Sequence, residues 1–188
     1  MDKKSPAICV FCGSSFGADK AYAEAAGTLG TLIAGRGWSL VFGGGGPGLM
    51  GVLARAVRDG GAPVSGVLPD FLRWVERPPE WEHELEITPD LQTRKTRMLD
   101  LADAFVVLPG GPGTMDEFFE VLTSAQLRVL GKPIVLVNIK NYFAPLDALL
   151  RHLLKEGFAR PAMLDVFTTV ETPEAAIEMV AKKLGCSG

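Results

Sequence analysis

The chain has 188 residues, 47% hydrophobic and 22% charged, enough for one α/β domain with a real core, and the boundaries expected are 1–188. Its net charge of −3 and pI near 5.5 give no electrostatic footprint for a nucleic acid polymer or an anionic membrane. No run approaches the roughly 20 apolar residues of a membrane span, and the opening MDKKSPAICVF lacks a secretory apolar region, so a cytoplasmic protein is expected.

Ile8 to Phe11 is a short apolar run and predicts a first buried strand, ending in Cys12-Gly13-Ser14-Ser15. Cys9 and Cys12 form a C-x-x-C with no second ligand pair, in apolar surroundings. They read as buried thiols rather than a zinc or redox site. Tyr22, Ala26, Leu29 and Ile33 then share one helical face. Leu40 to Phe42 predicts a second strand, which runs straight into Gly43-Gly44-Gly45-Gly46-Pro47-Gly48 and a helix carrying Met50, Leu53 and Val57. Val64 to Leu68 is a third strand.

A looser stretch from Pro69 to Pro89 holds Trp74, Pro78, Pro79, Trp81 and His83, and ends in a short strand at Leu85 to Ile87; a connection this long is often functional. From Thr88-Pro89-Asp90 a helix is expected to start, with Leu91, Met98, Leu101 and Ala102 on its apolar face. Phe105 to Leu108 predicts a strand entering Pro109-Gly110-Gly111-Pro112-Gly113-Thr114. The following helix has Phe118, Leu122, Ala125 and Val129 at helical spacing. Ile134 to Val137 is a further strand, and Pro173 to Leu184 a last helix begun at Thr172. Strand alternating with helix implies βαβ units. The fold class expected is α/β: Rossmann-like, three-layer αβα, with a mainly parallel twisted sheet.

Both glycine loops sit between a strand and a helix, where backbone can approach an anion and helix N–H groups are unpaired. Neither matches the dinucleotide fingerprint, since the first strand lacks G-x-G-x-x-G, and neither continues into the Gly-Lys-Ser/Thr of a Walker loop. Two such loops at neighbouring strand ends can line one nucleotide crevice.

Arg94 and Lys95 fall within the apolar stripe of their helix and need anionic partners, whereas Arg97 lies off it and reads as solvated. Thr114-Met115-Asp116-Glu117 fits a capping box, which would make Glu117 a structural cap. The functional alternative is a glutamate held ionised at a helix start, placed to stabilise the positive charge of glycosidic bond cleavage. Glu120, one turn on, would bring a second carboxylate to the same crevice. His83 and His152 stand without metal-ligand spacing, so no metal is expected.

Gly43 to Gly51, Arg94-Lys95 with Met98, and Pro109 to Glu117 resemble the LOG family, with Gln126-Leu127, Lys132-Pro133 and Glu156-Gly157-Phe158 in the family's order. LOG (LONELY GUY) proteins are cytokinin riboside 5′-monophosphate phosphoribohydrolases, often mislabelled lysine decarboxylases; a decarboxylase would need pyridoxal phosphate, and no convincing lysine site for it stands in the sequence. The resemblance implies hydrolysis of the N-glycosidic bond of a purine nucleoside 5′-monophosphate, giving free base and ribose 5-phosphate without a cofactor. It implies Arg94 and Glu117 as the catalytic pair and Gly110, Gly111, Gly113 and Thr114 as the phosphate cradle. Gly44, Gly45, Gly46, Lys95, Met98 and Glu120 would line the rest, in a homodimer with the site near the subunit interface. Thr93, Pro112 and Ser124 depart from the family's usual glutamate, tyrosine and tryptophan, leaving adenine and N6-substituted adenine both open as the base. The competing reading is a carrier that holds a nucleotide or molybdenum cofactor on the same loops without cleaving it.

Overall fold

The computed structural model describes residues 5–76 and 85–186; Pro78, Pro79, Trp81 and His83 of the loose stretch lie outside the described residues. Strands β1 (Ala7–Phe11), β2 (Ser39–Phe42), β3 (Val64–Pro69), β4 (Leu85–Thr88), β5 (Ala104–Val107), β6 (Ile134–Val137) and β7 (Thr168–Val170) form one sheet in the order β4-β3-β2-β1-β5-β6-β7. Every pairing is parallel. The helices are α1 (Lys20–Gly35), α2 (Gly48–Asp59), the single turn α3 (Arg73–Glu76), α4 (Leu91–Leu101), α5 (Pro112–Gln126), α6 (Ala144–Lys155) and α7 (Pro173–Leu184).

All of β1 is buried, so its alternation feeds two cores rather than one. Ile8 and Val10 join Leu29 and Ile33 of α1, Leu53 of α2 and Ile177 of α7 on one face. Ala7, Cys9 and Phe11 join Met98 of α4, Phe118 of α5 and Leu150 of α6 on the other. That is the expected three-layer αβα architecture.

Helix starts follow their caps. Asp19 accepts from Ala21 N at 2.9 Å to open α1, Asp90 accepts from Thr93 N at 2.7 Å to open α4, and Thr172 accepts from Ala175 N at 3.2 Å ahead of Pro173. The capping box at Thr114 is overturned. Helix α5 begins three residues earlier, with Gly111 as N-cap and Pro112 in its first turn, so Thr114 is inside the helix and Glu117 caps nothing. The same helix stops at Gln126, and Val129, expected on its apolar face, is 80% exposed beyond a left-handed Arg128 (φ 59°).

Candidate active site

The strand order reverses at β1. Sequence runs outward from it through β2, β3 and β4 on one side and β5, β6 and β7 on the other, which opens a crevice beyond the carboxyl ends of β1 and β5. Main-chain bonds hold the loops around it: Gly13 N donates to Pro109 O at 3.1 Å, and Leu49 N donates to Gly13 O at 3.0 Å. The cleft between them has a volume of about 150 Å³ and is lined by Ser14, Gly43, Glu76, Arg94, Gly111, Pro112, Gly113, Thr114 and Glu117, among others. The N–H groups of Gly111, Gly113 and Thr114, at the start of α5, have no acceptor among the described residues. A helix N-terminus with free N–H groups binds an anion.

Helix α4 carries Arg94 into this cleft and α5 brings Glu117 to meet it. Arg94 Nη2 lies 3.0 Å from Glu117 Oε1, with only 13% and 8% of the two side chains exposed. Arg94 Nε also donates to Val67 O at 3.1 Å, which fixes the guanidinium plane against the end of β3. The cation thus has the anionic partner its place in the stripe demanded.

Burial raises the Glu117 pKa to about 7, and Asp116 and Glu76 push it further up while Arg94 and Lys95 oppose them. The expectation of a carboxylate simply held ionised is therefore corrected. Removal from water outweighs the helix start and the arginine, leaving a group that exchanges its proton near neutrality.

Lys95 points the other way along α4. It pairs with Asp116 Oδ2 and Glu120 Oε2, each at 3.1 Å, on the seam between α4 and α5. Glu120 is thus tied to Lys95 outside the lining of the cleft. Met98 has no exposed surface and packs in the core beneath α4, where it supports Arg94's helix. Gly44 and Gly45 are buried in the wall of the loop, and Gly46 N donates to Glu76 O at 2.9 Å, so these three residues shape the cleft from behind. Gly110 sits beneath Thr114, where a Cβ would stand 2.1 Å from Thr114 Oγ1. Arg97 pairs with Glu86 at 2.7 Å on the surface.

Sequence reasoning missed Glu76, the second carboxylate of the cleft. Its Oε2 is buried with no hydrogen-bond partner among the described residues, and burial raises its pKa against the pull of Arg94. The only signal was its place in the long stretch after β3. Cys12 also lines the cleft, but burial pushes its thiol and that of Cys9 well above the usual range, as expected of inert thiols. Of the three departures from the family pattern, Pro112 lines the cleft, while Thr93 and Ser124 do not.

A family model described as possible lysine decarboxylase matches residues 50–180. A probable cytokinin riboside 5′-monophosphate phosphoribohydrolase of Oryza sativa subsp. japonica is 42% identical over 171 residues, covering 91% of this chain and 70% of that one. The cytokinin riboside 5′-monophosphate phosphoribohydrolase LOG1 of Arabidopsis thaliana is 41% identical over 182 residues, covering 97% and 84%. The chain belongs to the LOG family. This LOG-family chain also shares its fold with a molybdenum cofactor binding protein from Rippkaea orientalis, at a TM-score of 0.74 and 21% identity over 97% of this chain and 99% of that one. The molybdenum cofactor carrier protein of Chlamydomonas reinhardtii gives a TM-score of 0.70 at 22% identity, with the same coverage. At such identities the likeness concerns the fold alone. In this LOG-family chain, Arg94 of the Arg-Lys segment and Gly111 of the Pro-Gly-Gly segment line the cleft.

Proposed function

We propose that this protein hydrolyses the N-glycosidic bond of a purine nucleoside 5′-monophosphate, with AMP and N6-substituted adenine nucleotides of the cytokinin type as substrates. The observation that carries the reading is the buried Arg94–Glu117 pair, which opens on the same cleft as the N–H groups of Gly111, Gly113 and Thr114, which have no acceptor among the described residues. Those N–H groups donate to the 5′-phosphate oxygens, and Arg94 fixes the nucleotide relative to Glu117. The C1′–N9 bond breaks with its electron pair leaving on the base, a water oxygen bonds to C1′, and one water proton ends on the base. Ionised Glu117 stabilises the positive charge developing on the sugar or takes the proton of the attacking water. Relatives named as phosphoribohydrolases, at 38–44% identity, support the same reaction.

The test is chromatography of products after incubation with AMP and, separately, with isopentenyladenosine monophosphate. Free base and ribose 5-phosphate from the wild type, and not from Glu117→Gln, support the hydrolase. Intact nucleotide throughout, despite measurable binding, would leave a carrier on the same scaffold. The homodimer belongs to the same proposal. Exposed Leu127 and Phe158 flank a hollow of about 880 Å³ that suits a second copy, and sedimentation velocity measures whether one is there.

A further inference from the structure

Tyr142 lies outside the lining of the cleft, in the connection between β6 and α6, and the proposed reaction gives it no part. Its hydroxyl donates to Gly110 O at 2.6 Å. We infer that Tyr142 is a positioning residue: by anchoring the Gly110 carbonyl it aims the Gly111 N–H and sets the affinity for the substrate's phosphate. This rests on the nucleotide reading of the cleft.

The Gly110 carbonyl and the Gly111 N–H belong to one planar peptide unit, and with no cis bond among the described residues they point to opposite sides of the chain. A bond that holds the carbonyl on the outer side therefore fixes the N–H on the inner side. Gly111 lines the cleft and a Cβ on it would meet nothing within 4 Å, so its backbone stands open to a ligand. A peptide unit between two glycines has little steric resistance to rotation, so its orientation needs an anchor from elsewhere.

The anchor is itself held firmly. Lys140 and Asn141 both adopt left-handed φ, 51° and 59°, which side chains other than glycine seldom do. Asn138 locks that turn, accepting from Phe143 N at 2.8 Å and donating to Asn141 Oδ1 at 3.1 Å. Lys140 Nζ reaches Asp19 Oδ2 at 2.5 Å, tying the turn to the cap of α1. The Tyr142 ring packs edge-on against Tyr22 and Phe143, with centroids 5.7 and 5.0 Å away. A backbone this costly persists where its surroundings over-determine it, and here it delivers one hydroxyl to the phosphate loop.

Tyr142→Phe removes the hydroxyl and keeps both ring contacts. Calorimetric titration with inorganic phosphate and with AMP, alongside kcat and KM, reads the effect. Expected are about fivefold weaker binding of both, a KM for AMP raised by the same factor, kcat within about twofold and a Tm lowered by no more than about 4 °C, as for the loss of one neutral hydrogen bond. Unchanged affinity for phosphate and AMP overturns the inference, as does a lower kcat with KM untouched. Because binding is read without turnover, a wild type that binds but does not cleave defeats only the hydrolase reading. A wild type that binds neither phosphate nor AMP defeats the inference too.

Discussion

Gly43 has no Cβ where Arg94 lays its guanidinium: a methyl group there would stand 2.1 Å from Arg94 Nη2 and 3.2 Å from Met50 Sδ. The first glycine after β2 thus serves the arginine as well as any ligand. Gly43→Ala pushes aside the far end of a flexible side chain, which costs the fold little but breaks the alignment with Glu117. A fall in kcat/KM of about a hundredfold is expected with Tm lowered by only a few degrees. Steady-state kinetics and thermal melts measure both, and near-wild-type kcat/KM would show that the arginine's placement is unimportant.

Glu117→Gln keeps the shape of the side chain and its bond to Arg94 but cannot take a proton or carry charge. The rate of base release is expected to drop by about a thousandfold while AMP still binds, because the phosphate is gripped by backbone N–H groups instead. Single-turnover assays and calorimetry separate the two. Turnover close to wild type would move the role to Glu76.

Stability carries a pH signature of the same residue. With a folded pKa of about 7 against an ordinary 4.5, Glu117 binds its proton more tightly in the folded protein than in the unfolded chain. Its contribution to stability is therefore complete below about 4.5 and is lost as pH rises to about 7. Glu117→Gln removes that loss, so its Tm relative to wild type should climb between pH 4.5 and 8, by roughly 3 °C or more. A flat difference across the range would mean that the carboxyl is not held protonated by burial.

The acid limb of the pH–rate profile tests the neighbour. Ionised Glu117 is the working form, so kcat/KM should rise by about tenfold per unit on the acid side and level off above pH 7. The charge of Glu76 raises the Glu117 pKa. Glu76→Gln should accordingly shift the limb to lower pH, and a limb that stays in place would show that the two carboxylates do not sense one another.

Much of this was legible in sequence because the signals were local. Apolar runs bounded by glycine or proline gave five of the seven strands among the described residues and the end of the loose stretch a sixth, and stripes such as Leu29 and Ile33 gave the helices that cover them. Arg94 declared itself by standing on an apolar face, and Glu117 by following the second glycine loop. What escaped was non-local. Strand β7 is three residues with two threonines at the sheet edge, too short for a pattern. Helix α6 is amphipathic, but nothing marked it as an element of the second core. Glu76 enters the cleft from a turn after β3 whose direction no periodicity encodes, and Lys95 and Glu120 found each other across two helices instead of facing the cleft. Pro112 opening α5 was the feature that should have displaced the capping box, since proline in the first turn outranks threonine two residues later.

The three loops around the cleft are joined main chain to main chain, through Gly13, Pro109 and Leu49, and the start of α5 turns the N–H groups of Gly111, Gly113 and Thr114 toward the cleft. Grip and discrimination are therefore written in different alphabets. In the proposed reaction the grip on phosphate resides in peptide geometry that most substitutions leave alone, whereas the cleft is also lined by side chains such as Ser14 and Pro112 that a single codon can change. A lineage built this way is free to exchange one nucleobase for another while inheriting its hold on the phosphate intact.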